Sequence, residues 1–225
     1  MKLIKLFIVA LMCGTATVAS AQLTKEQLKA RKEVKAQSKS ELQDKASKDA
    51  RTEAKRLKKA GWLVSPGGLT IEKQLDRSMM MQMEYDENLF PKYLMAEGQS
   101  LGENYDGAKL QAMELAKQNL AGQIQTEVTA LIENSVANNQ LSAGEAATVT
   151  KSIMSGKSLI SQSLGRVLPV VEVYRVDKKS GNKEVLVRLA YNSDMAKAAA
   201  KKAARATLEK ESDELQNKLD NILGW

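Results

Sequence analysis

The 225-residue chain has no histidine, one cysteine, three prolines and only 4% aromatic residues. Each shortage removes a class of chemistry. Without an imidazole there is no Ser-His-Asp or Cys-His nucleophile, no histidine-ligated zinc and no histidine pH switch. The one thiol, Cys13, has no second cysteine to pair with inside the chain. No apolar run approaches the about 20 residues that a membrane-spanning helix needs. What is present is ordinary for a folded protein: 43% hydrophobic and 27% charged residues, with 34 basic against 27 acidic and a formal charge of +7.

Lys2 and Lys5 precede a short apolar run over 6–12 and small residues ending in Ala19-Ser20-Ala21. This order is that of a secretory signal peptide over 1–21, cleaved between Ala21 and Gln22. Cleavage there discards Cys13 and leaves a mature chain with no thiol. The competing reading makes Cys13 a lipid-attachment cysteine. Met12 stands where such sites carry a small residue, and Ala10-Leu11-Met12 lacks their pattern, so cleavage after Ala21 is preferred. The expected location is the periplasm or a periplasm-facing surface of the envelope.

Residues 22–60 hold 13 Lys plus Arg, 6 Asp plus Glu, and no glycine, proline or aromatic. The remainder, 61–225, holds 19 basic and 21 acidic residues, so the net positive charge of the mature chain is concentrated in this arm. Its composition favours helix, with Thr24 and Gln27 spaced as a cap. Leu42, Ala46, Ala50, Ala54 and Leu57 follow one face, but alanines bury little area. The arm is therefore expected to be a solvated helix. Lys29, Arg31, Lys32, Lys55, Arg56, Lys58 and Lys59 are its candidate electrostatic contacts, for anionic lipid headgroups or an acidic envelope protein. Nucleic acid is not an expected partner of an exported chain.

The rest reads as an α+β domain over 61–192 followed by a helical extension over 193–225. Ile71, Leu75, Met79 and Met83 predict a helix over 70–83, and 92–98 predicts a strand, with Gly98 and Gly102 allowing a bend. Met113, Ala116, Leu120, Ile124, Val128 and Leu131 predict a long helix over 106–136, with Lys117, Gln118 and Gln125 on its surface. Ala108, Ala112, Ala116 and Ala121 permit it to approach a sheet closely. Ser142 and Glu145 form a capping box for the next helix, with Ala146, Val149, Ile153 and Ile160 inward. Residues 170–176 and 184–191 predict a hairpin. The expected fold is a small antiparallel or mixed sheet packed on a long Ala-rich helix, with helical extensions at both ends. In the last helix, expected from Ser193 to about residue 223, Leu208, Leu215, Leu219 and Ile222 are spaced as in heptads. They could pair with the arm or with a second subunit.

Motifs for chemistry are scarce. Ser155-Gly156-Lys157-Ser158 has the ending of a phosphate-binding loop, but Lys151 stands where its first glycine belongs. Met79, Met80, Met81 and Met83 could hold a soft metal only if they converged, and neighbours on a helix diverge by about 100°, so packing is preferred. Glu84, Asp86, Glu87, Glu97, Glu103 and Asp106 surround the first strand and read as solvated surface. No cofactor or metal is assigned.

Tyr93-Leu94-Met95-Ala96-Glu97-Gly98, then Ala108, Ala112, Ala116 and Asn119-Leu120-Ala121-Gly122-Gln123-Ile124, then Val170-Val171-Glu172-Val173-Tyr174 and Glu184-Val185-Leu186-Val187-Arg188-Leu189 carry a resemblance. Over about residues 92–192 the chain resembles the bacterial twenty-kilodalton envelope lipoprotein family, here the LPP-twenty family. Its domain recurs in a flagellar basal-body assembly protein. The resemblance implies an α+β domain, an envelope location and no known enzymatic activity. The combined expectation is an exported, non-enzymatic envelope protein that acts by binding or assembly, homo-oligomers included. The alternatives are an envelope hydrolase using paired carboxylates and a self-assembling structural subunit.

Overall fold

A computed structural model of the chain describes residues 44–65, 67–87, 89–208 and 213–222, together with Lys25, Leu28, Lys29, Lys32, Glu33 and Ala36. Two compact units are distinguished, 1–44 and 45–225. In the first, the six residues just named are helical and exposed. The expected signal segment with Cys13, Ala21 and Gln22, the Thr24–Gln27 cap, Arg31 and Leu42 lie outside the described residues.

In the second unit, helix α1 (Lys48–Lys59) starts on Ser47, whose hydroxyl accepts from the Ala50 amide at 3.3 Å. It ends on Gly61, at φ 87°, where a residue with a Cβ would be strained. There the Gly61 amide donates to Lys58 O at 3.0 Å and the Trp62 amide to Leu57 O at 3.1 Å. Ala46, Ala50, Ala54 and Trp62 are buried against Ile71 and Leu75 of α2 (Ile71–Gln82), beneath which β1 (Leu63–Val64) joins the sheet. The helix expected to stand apart as part of a 22–60 arm thus belongs to the folded domain. Its alanines admit the close approach, and Trp62 supplies the area they lack.

Strands β2 (Tyr93–Gly102), β3 (Leu168–Val176) and β4 (Lys183–Asn192) complete a four-stranded antiparallel sheet in the order β1-β3-β4-β2. The β3–β4 hairpin is the expected one. β2 runs four residues past its expected end, because Gly98 and Gly102 keep register with Val187 and Lys183 rather than bending the chain away. Helix α3 (Tyr105–Ala137), capped by Asn104, crosses one face with Ala108, Ala112 and Ala116 seated on Val185, Val187 and Leu189. Helices α1 and α2 cover the other face, over Val171 and Val173. The molecule is α+β.

The second half of α3 enters a helical core with α4 (Ala143–Ser155), α5 (Lys157–Ser163), α6 (Ser193–Thr207) and α7 (Asp213–Ile222). The Ser142–Glu145 capping box forms, and Lys218 Nζ reaches Glu145 at 2.7 Å. The Lys218 hydrogen bond, with those from the Ser142 amide and hydroxyl, pulls the Glu145 carboxyl down to about 2. Gln125, expected on the surface, is buried, because its Nε2 donates to the Ile153 and Met154 carbonyls at the end of α4, at 2.7 and 2.9 Å, and so ties α3 to that helix end.

A single helix from 193 to about 223 does not form. The chain breaks between α6 and α7, and Leu208, Leu215 and Leu219 are buried in the same core as Leu120 and Ile124. Lys201 and Arg205 both pair with Asp220 across the break. The leucines expected as a coiled-coil seam are taken up within the chain. The cap of α6 is Asn192, whose Oδ1 accepts from the Asp194 and Met195 amides, while Ser193 donates to Pro91 O. Among the described residues no helix is long and apolar enough to cross a membrane.

Candidate functional site

Helix α1 carries the charge of the arm onto the folded domain. At about 100° per residue, Lys48, Arg51, Lys55 and Lys59 share one side of α1, opposite Ala50, Ala54 and Leu57. Both alanines are completely buried, which turns the four cations to solvent, and all four are exposed. Asp49 and Glu53 sit on the flank. Arg56 Nε donates to Glu53 at 2.8 Å, and that hydrogen bond holds the Glu53 carboxyl below its usual range.

The seven expected contacts are not used alike. Lys55 and Lys59 belong to the outward stripe, whereas Arg56 is tied to Glu53 and Lys58 reaches Glu72 of α2 at 2.6 Å. Lys29 and Lys32 are exposed in the other unit, with Lys29 Nζ 4.0 Å from Glu33, and Arg31 lies outside the described residues. Sequence reasoning missed Lys48 and Arg51. The signal was their helical spacing with Lys55 and Lys59, opposite the alanine stripe.

A second polar cluster joins three elements. Glu172 of β3 accepts from the Tyr105 hydroxyl and, at 2.8 Å, from Lys109 Nζ, one turn apart on α3. The Tyr105 ring meets Tyr174 edge-on at 5.3 Å. On the edge of the sheet, the Glu172 amide donates to Gln74 Oε1 at 2.7 Å. Burial pushes the Glu172 carboxyl up, but the hydrogen bonds from Lys109 and Tyr105 outweigh it and leave the group below its usual value. Burial, then the Glu172 hydrogen bond, push Tyr105 up to about 12. A phenol so placed keeps its proton at neutral pH, and the carboxylate stays charged. Neither is poised for general acid or base work near pH 7, so the cluster acts as a clamp between α3 and β3.

An open cleft of about 510 Å³ lies on the β2 edge beside Gln82, Asn119 and Gln123. Its charges neutralise each other: Arg188 donates to Glu97, with Nε at 2.7 Å, and to Ser78 Oγ at 2.8 Å. Asn119 Nδ2 donates to Glu97 O at 2.8 Å. The other carboxylates noted around β2 are dispersed. Glu84 is 3.5 Å from Lys92 Nζ, Asp86 accepts from the Phe90 amide, and Glu103 and Asp106 are exposed beside the cap of α3. The methionines separate as helical geometry requires: Met81 is buried, Met79 half-buried, and Met80 and Met83 exposed. Ser155-Gly156-Lys157-Ser158 joins two helices, without the strand a phosphate-binding loop follows.

Comparison with protein-family models, curated proteins and solved structures returns no match for this chain.

Proposed function

We propose that this chain is an exported, non-enzymatic protein of the cell envelope, working in the periplasm or on a periplasm-facing surface, and that it acts by binding. The outward face of α1 is its electrostatic contact with an anionic surface. One observation carries this reading: Lys48, Arg51, Lys55 and Lys59 form an exposed row, held in place by alanines buried on the opposite side of the same helix. A row of cations on a docked helix is already ordered, so binding need not first fix a flexible segment. The secretory order of residues 1–21 and the resemblance to the LPP-twenty family support the address.

Each basic residue close to an anionic leaflet contributes about 1 kcal/mol, and the attraction fades beyond a Debye length of about 10 Å in 0.1 M salt. Lys55→Gln with Lys59→Gln is therefore expected to weaken binding to phosphatidylglycerol-containing vesicles about thirtyfold. Binding by the parent should fall steeply with salt and be absent on phosphatidylcholine alone. Vesicle co-sedimentation measures both. Equal binding by parent and variant, or binding indifferent to salt, removes the electrostatic contact.

A further inference from the structure

Five large apolar side chains between residues 80 and 90 stand in solvent: Met80 at 52% exposure, Met83 at 75%, Tyr85 at 56%, Leu89 at 80% and Phe90 at 58%. They occupy the end of α2 and the loop that leads to β2. The loop is built to hold them there. Tyr85 and Pro91 bridge its neck. Inside it, the Asp86 amide donates to Phe90 O and Asp86 Oδ1 accepts from the Phe90 amide, both at 2.9 Å, while Asp86 O accepts from the Leu89 amide at 3.1 Å. Leu89 sits at φ 64°, a left-handed conformation that a leucine adopts at a cost. Strain and hydrogen bonds are thus committed to an apolar tip facing water, the pattern of a surface with a receiver.

The surroundings identify the receiver. Arg77 is exposed on the outward side of α2, one turn before Met80 and Met81. The Ser47 amide donates to Asp76 Oδ1 at 2.8 Å, so the start of α1, with exposed Lys45 and Lys48, lies against the same part of α2. The layer formed by α1 and α2 therefore presents cations and a projecting apolar tip together. Of the tip's own acids, Glu84 pairs with Lys92 and Asp86 with the loop backbone, while Glu87 is exposed and sets one negative charge against the cations of the layer. A projecting tip of leucine, phenylalanine and tyrosine beside cations is complementary to a bilayer. Phosphates meet the cations, and the apolar side chains enter the boundary between headgroups and acyl chains.

We propose that Leu89 and Phe90 are an apolar anchor that seats the α1–α2 layer in the interfacial region of an anionic bilayer. The anchor rests on the electrostatic contact proposed above and adds to it the kind of surface engaged. Phe90→Trp in the full mature chain provides a probe, read against the parent with its own tryptophans, on phosphatidylcholine–phosphatidylglycerol vesicles with brominated acyl chains. The expected result is a blue shift and quenching in the variant beyond those of the parent. Leu89→Ser with Phe90→Ser should weaken vesicle binding about tenfold while its thermal melt stays that of the parent, because neither side chain is buried.

The outcomes separate the two proposals. If the serine variant binds as tightly as the parent while Lys55→Gln with Lys59→Gln does not, the anchor is overturned and the electrostatic contact stands. A Phe90→Trp probe that stays unquenched in bound protein also overturns the anchor. A parent that binds no vesicle removes both.

Discussion

Gly98→Ala is expected to lower the melting temperature by roughly 6–12 °C, or to prevent folding outright. Gly98 pairs with Val187 midway along the edge strand β2, and α3 lies directly across it. A Cβ at this position would come within 2.5 Å of the Ala116 amide nitrogen and closer still to the Ala112 carbonyl oxygen. Both obstacles are backbone, so no rotamer change makes room. The helix would have to lift, separating Ala108, Ala112 and Ala116 from Val185, Val187 and Leu189. Overfilling a packed contact costs about 1–3 kcal/mol, and a forced backbone movement belongs at the upper end, with about 2–4 °C lost per kcal/mol in a domain of this size. Gly102→Ala is the control. Its nearest neighbours would be 3.2 Å away, at the Ala108 Cβ and amide nitrogen, and a small shift accommodates it. Equal losses in the two variants would show that close approach at Gly98 is not what the helix depends on.

Glu172→Leu is expected to cost about 2–3 kcal/mol at neutral pH, by leaving the Lys109 ammonium and the Tyr105 hydroxyl without their acceptor. Removing one partner of a fully buried pair costs about 3–5 kcal/mol; here the two side chains retain 20% and 34% exposure, and solvent screens part of that loss. The folded state holds the Glu172 carboxyl below its unfolded value of about 4.3. Its contribution is therefore complete above that value and disappears as pH falls through the depressed folded one. Melts of parent and variant should lie well apart at pH 7 and draw together below about pH 4. Curves that run parallel throughout would show that the carboxylate's charge does not hold α3 to β3.

What the sequence revealed and what it hid follow from how each interaction is encoded. The long helix and the hairpin were legible because their apolar positions repeat within single elements: Leu120, Ile124 and Val128 along α3, and Val185, Val187 and Leu189 along β4. The docking of α1 was hidden, since Ala50 and Ala54 signal little burial by themselves and the helix is fixed by distant partners, Ser47 to Asp76 and Lys58 to Glu72. The Glu172 clamp was invisible for the same reason, its partners lying 63 and 67 residues away along the chain. The reversal between α6 and α7 was masked because Leu208 and Leu215 keep a helical interval whether or not the chain breaks between them. The apolar tip was overlooked, since residues 86–91 read only as a turn-rich link and composition does not show that Leu89 and Phe90 are held out in solvent.

Helix α3 has 33 residues, about 50 Å of rod. Its first half serves the sheet and its second half the helical core. Neither could lose its share of that rod without exposing the other, so the two cores should melt as one cooperative unit. A single calorimetric endotherm for residues 45–225 is the expected trace, and two resolved peaks would mean the rod can part in the middle. A continuous beam of this kind also gives the molecule a mechanical path by which load taken up at the sheet is felt at the far helices.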